Sequence, residues 1–267
     1  MIYIGNVTTY NEHNGLGFRV DNGKLVGLDN IGHVKNVFIP SVLPSGEIIK
    51  TLGVSFYSGE DGIEQLTVDD AIPYVEPYAF AYSRISKVKW SSSCKTIPEC
   101  CFYCGFVNEI SNIQDVSVIE DGAFQESGIT LFSWPSKCKI IPDFCFSGAP
   151  LKEISGIDAV EDIRSYAFFN SDIKEFKWPK ACRTIPKSCF CTSSLEYITG
   201  IENIEQIQEF AFADSSIKKI DLSGTSILAI PPSAFFGVNK ENITLSYYSL
   251  DMSEEGSLDQ DEQMLPF

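Results

Sequence analysis

The sequence predicts an α/β repeat solenoid: a right-handed stack with a parallel β-sheet on one face and short helical or 3-10 turns on the other. Three observations lead there. An Ala-Phe or Cys-Phe pair returns every 22 residues, at Phe80, Phe102, Phe124, Phe146, Phe168, Phe190 and Phe212; Phe235 follows after 23 and a degenerate Phe56 precedes by 24. A short polar gap then leads to Ile or Leu, two residues, and an apolar-x-apolar ending that alternates as a short strand does. A period of about 20–29 residues is the length of one strand plus one return segment, the signature of stacked repeat units.

Residues 1–38 are rich in Gly and Asn, with alternating apolar positions at Phe18, Val20, Leu25 and Leu28. They are expected to form a β-rich N-terminal cap, since a repeat unit cannot bury its apolar face alone and the ends of a stack need covers. About nine leucine-rich-repeat-like units of 22–24 residues then occupy 39–245, in two alternating flavours that give a 44-residue double period. The first flavour runs Ile163-Arg-Ser-Tyr-Ala167-Phe168, then Ile173-Lys-Glu-Phe176-Lys-Trp178-Pro179, with copies at Val75 to Trp90, Ile119 to Pro135 and Ile207 to Leu222. The second runs Cys182-Arg-Thr-Ile185-Pro186-Lys-Ser-Cys189-Phe190, then Leu195-Glu-Tyr-Ile198-Thr-Gly-Ile201, with copies from Cys94 and Cys138 and a diverged one around Ile230 and Phe235.

Pro135 and Pro179 suit a strand end, because proline cannot donate to the ladder. The Ile-x-x-x-Ala/Cys-Phe stretch places apolar residues as a single helical turn would, covering the back of the stack. Pro98, Pro142, Pro186 and Pro231 preset φ for that turn. Strands stacked about 4.8 Å apart make the sheet on the order of 40 Å long. Residues 246–267 read as an acidic tail: Glu254, Glu255, Asp259, Asp261 and Glu262 occur from Ser253 onward with no Lys or Arg, a disorder-prone composition.

The chain has 267 residues, 44% of them apolar, enough for a continuous core. Its net charge of −16 argues against nucleic acid and anionic membranes, which need clustered Lys and Arg. It suits cationic partners, and equally a merely soluble surface. No apolar run reaches the roughly 20 residues that cross a bilayer. The start, Met1-Ile-Tyr-Ile-Gly, has no basic n-region and no h-region, so no secretory signal is visible. The sequons at Asn6 and Asn242 are as frequent as chance gives.

Cys101, Cys145 and Cys189 take the place that Ala79, Ala123, Ala167 and Ala211 hold in the other flavour. They are therefore expected to be small buried hydrophobes, and Cys94, Cys138 and Cys182 repeat in the same register. Equivalent cysteines two units apart lie about 10 Å apart, too far for a disulfide, although a bridge such as Cys94–Cys101 within one unit is sterically conceivable. Cys101 and Cys104 make a C-x-x-C, but no second ligand pair or histidine stands near it, so no metal is expected. Trp90, Trp134 and Trp178 could form an aromatic recognition stripe, yet their register matches Leu222 and assigns them to the core. His13 and His33 both fall in the cap, no catalytic or nucleotide motif occurs, and neither an enzyme nor a cofactor is expected.

Alternation leaves one strip of residues facing outward from the strands. It comprises Glu109 and Ser111, Leu131 and Ser133, Glu153 and Ser155, Glu175 and Lys177, Tyr197 and Thr199, and Lys219 and Asp221. These positions vary from unit to unit while the inward ones repeat, as a protein-binding face would, and as a solvated face under drift would too.

The string Ile-x-x-x-Ala-Phe-x-x-Ser-x-Ile-x-x-Ile/Phe-x-Trp-Pro, clearest at 119–135, 163–179 and 207–222, resembles the BspA-like, treponemal-type leucine-rich repeat. The resemblance covers roughly residues 36–245, and the Cys-x-x-Ile-Pro-x-x-Cys-Phe variant looks like copies in parasitic protists such as trichomonads. It implies a surface antigen or secreted adhesin, monomeric, that binds a host protein such as fibronectin. The absence of a visible signal or membrane anchor departs from that pattern. It leaves a cytoplasmic scaffold or regulatory protein as the alternative.

Overall fold

The computed structural model describes residues 2–4, 7–11, 17–29, 35–53 and 63–245. Phe56, His13, His33 and the acidic segment Ser253–Phe267 lie outside the described residues. The chain opens with β1 (Ile2–Ile4), β2 (Val7–Asn11), β3 (Gly17–Asp21) and β4 (Lys24–Asp29), an antiparallel meander. Thereafter it swings between two lines of short strands. In order these are β5 (Asn36–Ile39), β6 (Thr51–Leu52), β7 (Gln65–Val68), β8 (Tyr74–Val75), β9 (Lys87–Lys89), β10 (Thr96–Ile97), β11 (Glu109–Ser111), β12 (Val118–Ile119) and β13 (Leu131–Ser133). They continue as β14 (Ile140–Ile141), β15 (Glu153–Ser155), β16 (Asp162–Ile163), β17 (Glu175–Lys177), β18 (Thr184–Ile185), β19 (Tyr197–Thr199), β20 (Gln206–Ile207), β21 (Ile220–Asp221) and β22 (Ile243–Thr244). The odd strands from β5 to β21, with β22, form the front; the even strands from β6 to β20 form the back.

This corrects the expected α/β class. Among the described residues there is no α-helix; three short 3-10 segments, Ile157–Ala159, Pro232–Phe235 and Lys240–Asn242, are the only helical pieces. The protein is a β-solenoid of about eight turns, one for each corner phenylalanine from Phe80 to Phe235. The physical reason lies in the corners. The first apolar residue of each Ile-x-x-x-Ala/Cys-Phe stretch ends a back strand, as Ile97, Ile119, Ile141 and Ile163 do. The residues two before and two after each phenylalanine from Phe80 to Phe212 then take left-handed φ, as Tyr78 (59°) and Tyr82 (57°) do around Phe80, which no helix can continue through.

That alternation turns successive N–H groups in opposite directions. Tyr78, Phe80 and Tyr82 donate along the stack to the carbonyls of Glu99, Cys101 and Tyr103, at 3.1, 2.9 and 2.8 Å. Ala79, Ala81 and Ser83 donate within their own turn to Glu76, Tyr78 and Phe80. The same pattern of stack-directed bonds runs through the later corners, from Phe102 to Ala123 up to Phe212 to Ala234, so the corner is a continuous ladder. Inside it the phenylalanine rings stack nearly parallel, with centroids 5.4 Å apart for Phe80–Phe102, Phe102–Phe124 and Phe124–Phe146. Phe212–Phe235 closes the column at 5.1 Å.

The 44-residue double period has a structural counterpart. Front pairs β9–β11, β13–β15 and β17–β19 are hydrogen-bonded within each double unit. Back pairs β10–β12, β14–β16 and β18–β20 join one double unit to the next. Each seam between turns in this stretch therefore closes at the front or at the back, in alternation, like staggered bricks. The front opens where the incoming strand brings a large inward ring. Phe132 lies 4.9 Å from Phe124 and 5.2 Å from Phe146, and Phe176 sits equally close to Phe168 and Phe190. Where the inward residue is Val88, the front bonds β7–β9 are kept.

Trp90, Trp134 and Trp178 are buried, as their register requires, and each indole Nε1 donates to the carbonyl of Cys94, Cys138 or Cys182 at 3.0–3.1 Å. That bond explains the fixed Trp-x-x-x-Cys spacing. In the next turn the backbone must pass close over the tryptophan carbonyl. A Cβ on Gly156 or Gly200 would come within 2.8 or 2.7 Å of it, at φ of 78° and 77°. Asn112 holds the equivalent place at φ 65° and donates its side-chain amide to the Trp90 carbonyl. All nine cysteines are free thiols, and the six in register are buried. Burial pushes Cys101, Cys145 and Cys189 well above the ordinary thiol range, and lifts Cys138 to about 11 and Cys182 to about 12.

Two outcomes follow for stability. Phe146→Ala removes the middle of the column and should lower the unfolding free energy by about 3–5 kcal/mol. Cys145→Ala, which imports the residue of the alternate corner, should cost less than about 1.5 kcal/mol; denaturant titration of both variants compares them. Because the buried thiols titrate above their unfolded value of 9.0, the unfolded chain releases protons first as pH rises. Stability is therefore full below pH 9 and falls as pH climbs from there toward the folded values of about 11 and 12. Denaturation midpoints at pH 8 and pH 10.5 should show the loss, and it should be smaller in Cys101→Ala/Cys145→Ala/Cys189→Ala.

Candidate front-face binding strip

The front strands present two exposed columns. One carries Lys87, Glu109, Leu131, Glu153, Glu175, Tyr197 and Lys219; the other carries Lys89, Ser111, Ser133, Ser155, Lys177, Thr199 and Asp221. All twelve residues that alternation turned outward are exposed. The registers set Lys87 beside Glu109, Leu131 beside Glu153, and Glu175 beside Tyr197. Leu131 is 62% exposed and Tyr197 42%, large apolar surfaces with hydroxyls and charges around them.

Four of the eight charged residues in the two columns, Lys87, Lys89, Glu109 and Lys177, have ion-pair partners. Lys87 Nζ lies 2.8 Å from Glu109, whose hydrogen bond raises the lysine's pKa, and Lys177 reaches Asp158 at 3.0 Å. The Ser223 hydroxyl and N–H donate to Asp221 and hold its carboxyl below the usual range. Beside the strip, Glu196 is held low by Lys218 and also faces Lys174. Such exposed pairs add little stability, and a partner's charges can compete for them.

The open front seam between β11 and β13 forms a cleft of about 850 Å³. It runs beside both strands, from Asn108 and Thr130 at one end to Gln114 and Ser136 at the other, with Ile110 half-exposed in it and Lys87 and Glu109 at its rim. Strand alternation selects Glu109, Ser111, Leu131 and Ser133 for this region but misses Asn108, Asn112, Gln114 and Thr130, which flank the strands. The signal available for them was Asn112, standing where the later units carry Gly156 and Gly200. A second cleft of about 550 Å³ marks the open back seam between β12 and β14, lined by Glu120, Asp121, Lys139 and Arg164 among others. Among the described residues no three His, Cys, Asp or Glu side chains converge as metal ligands would, and no helix is long and apolar enough to cross a membrane.

A sequence model for the BspA type leucine-rich repeat region matches residues 35–152 and 117–244, in six copies. No curated protein matches the chain. Among solved structures, a leucine-rich repeat protein from Bacteroides ovatus superposes with a TM-score of 0.66 at 18% identity, covering 92% of this chain and 67% of that one. The pneumococcal vaccine antigen PcpA gives 0.53 at 16% identity, over 90% and 70% of the two chains. A leucine-rich cell surface protein from Faecalibacterium prausnitzii gives 0.50 at 15% identity, over 89% and 86%. At these identities the likeness is one of fold.

Proposed function

Since the chain belongs to the BspA type leucine-rich repeat family and resembles bacterial cell-surface proteins and antigens, we propose that it is an adhesin-like module that binds an extracellular or host protein through the front strip. In this reading residues 1–38 cap the stack, 39–245 carry the repeats, and 246–267 are an acidic tail. One observation carries it. In a molecule whose inward positions repeat turn after turn, the outward strip is less regular: Glu109 and Ser111 recur as Glu153 and Ser155, but other strands carry Leu131, Lys177, Tyr197, Lys219 and Asp221 there. Solenoids recognise partners on such a sheet face. Leu131 and Tyr197 supply apolar anchors of the kind that dominate interfaces, and Glu109, Glu153, Ser155, Glu175, Lys177, Thr199, Lys219 and Asp221 supply the polar contacts around them.

A second reading rests on the thiols. Nine free cysteines suit a reducing compartment, so an intracellular scaffold using the same strip is the competing assignment. An impermeant amine-reactive label applied to intact cells separates the two: no labelling of this chain would rule out the adhesin.

The strip itself is tested by charge reversal. Glu153→Lys/Glu175→Lys/Lys177→Glu should weaken adhesion to immobilised fibronectin, the host protein that the resemblance suggests, by about tenfold. Its unfolding free energy should stay within about 0.5 kcal/mol of the parent, as expected for surface changes. Equal loss from reversing Arg164 and Asp162 on the back line would move the face elsewhere.

A further inference from the structure

The corner of the first turns carries exposed aromatic rings that the fold does not require. Tyr78 is 46% exposed, Tyr82 54% and Phe106 63%. Tyr82 packs edge-on against Tyr103 with centroids 5.4 Å apart, joining one turn to the next, and the Phe106 N–H donates to the Ser83 carbonyl, tying the Phe106 backbone to the turn of Tyr82. Tyr78 and Tyr82 hold left-handed φ, where a bulky side chain is disfavoured. At the places equivalent to Tyr78, later turns use Gly122 and Ser188; at those equivalent to Tyr82 they use Gly148, Asn170 and Thr192; at that of Phe106 they use Gly128 and Ser194. The corner therefore folds without these rings. Phe144, Tyr166 and Phe210 also stand at the place of Tyr78; Phe144 and Tyr166 stack face to face at 4.6 Å, each covering part of the other, with Phe144 38% exposed.

Carboxylates border the same patch. The Tyr78 N–H donates to the Glu99 carbonyl, which brings Glu99 beside the ring. Glu126, two turns beyond Tyr82, accepts from the Cys104 thiol at 2.8 Å and lies close enough to Tyr103 to help raise its phenol pKa. Arg84 holds the place of Phe106 one turn earlier. Rings whose faces are electron-rich, with carboxylates on one side, match a guanidinium or ammonium that can stack on the ring and pair with the acid. We propose that Tyr78, Tyr82, Tyr103 and Phe106, with Glu99 and Glu126, form a second docking surface that takes an arginine- or lysine-bearing segment of a partner protein. It lies on the corner, away from the front strip, and stands or falls independently of it.

The test uses the full chain and a fluorescein-labelled nonapeptide of alternating Arg and Ser, followed by anisotropy. The parent should bind it saturably, and the citrulline counterpart, which keeps the shape but loses the charge, should bind at least about tenfold more weakly. Tyr78→Ser/Tyr82→Thr/Phe106→Ser installs residues that other turns carry at these places and leaves the net charge unchanged. It should also weaken binding about tenfold, with an unchanged melting temperature; Glu99→Gln/Glu126→Gln should cost about threefold. Leu131→Ser/Tyr197→Ser on the front strip should leave peptide binding as it was. If the triple variant unfolds, Phe106→Ser alone decides, with a loss of about threefold expected. Parent-like binding by the ring variants would show that the peptide is held only by the overall negative charge, and would overturn the proposal. So would equal binding of the citrulline peptide, or the absence of saturable binding.

Discussion

The column of rings from Phe80 to Phe235 sets the rise of every turn, because rings 5.1–5.9 Å apart and almost parallel leave no room for a turn to slip. Each ring from Phe80 to Phe212 is fully buried, so every stacking contact adds to the burial of a large apolar side chain, by about 0.5–1.5 kcal/mol per pair. The neighbouring residue has to be small for the corners to approach, which is why Ala and Cys alternate there. A burden follows from this geometry. To lay its N–H groups along the column, the corner adopts left-handed φ at two positions per turn, mostly without glycine. That conformation is disfavoured by roughly 1–2 kcal/mol for a non-glycine residue, and the stack-directed hydrogen bonds of the corner must offset it.

Since the corner ladder is closed at each turn, the strands need not be. The front and back lines are only two or three residues long beyond β7, too short to hold a sheet together unaided. With the corner as spine, one closed ladder per seam is sufficient, and the chain can place a ring such as Phe132 or Phe176 on the inward side of the front at the expense of that ladder. The outcome is a sheet interrupted at regular intervals, with a cleft at the β11–β13 seam that a uniformly paired sheet would not contain. Packing choices inside the solenoid thus shape the surface outside it.

Much of this was legible in the sequence. The 22-residue spacing located the corners, the exchange of Cys for Ala marked buried thiols, and the register shared with Leu222 placed three indoles in the core. Alternation named the exposed strip residue by residue. The 3-10 turn expected on the back forms at the Pro232–Phe235 corner; at the earlier corners Ile-x-x-x-Ala/Cys-Phe has helical apolar spacing, yet nothing in residue identity announces left-handed φ at Tyr78, Cys100 or Phe144. Such residues are poor candidates for that conformation, and only the repeat context forces it. The clefts were invisible for a different reason: they arise from which ladder closes at a seam, and that depends on the size of one inward side chain across two turns.

The two surfaces have different physical standing. On the front strip, half of the charges already have ion-pair partners within the protein, as Lys87 has Glu109 and Lys177 has Asp158, so at those places a ligand gains only what rearranged pairs return. Selectivity on that face must come from shape and from Leu131 and Tyr197, the side chains with apolar area to bury. At the corner, the rings expose apolar area together with electron-rich faces, and Tyr78 and Tyr82 do so at left-handed positions where glycine would relieve the backbone. A residue that costs conformational energy and contributes no core packing is explained by what it meets outside the protein. That reasoning ranks the corner patch above an ordinary solvated surface, and it does so without reference to the front strip.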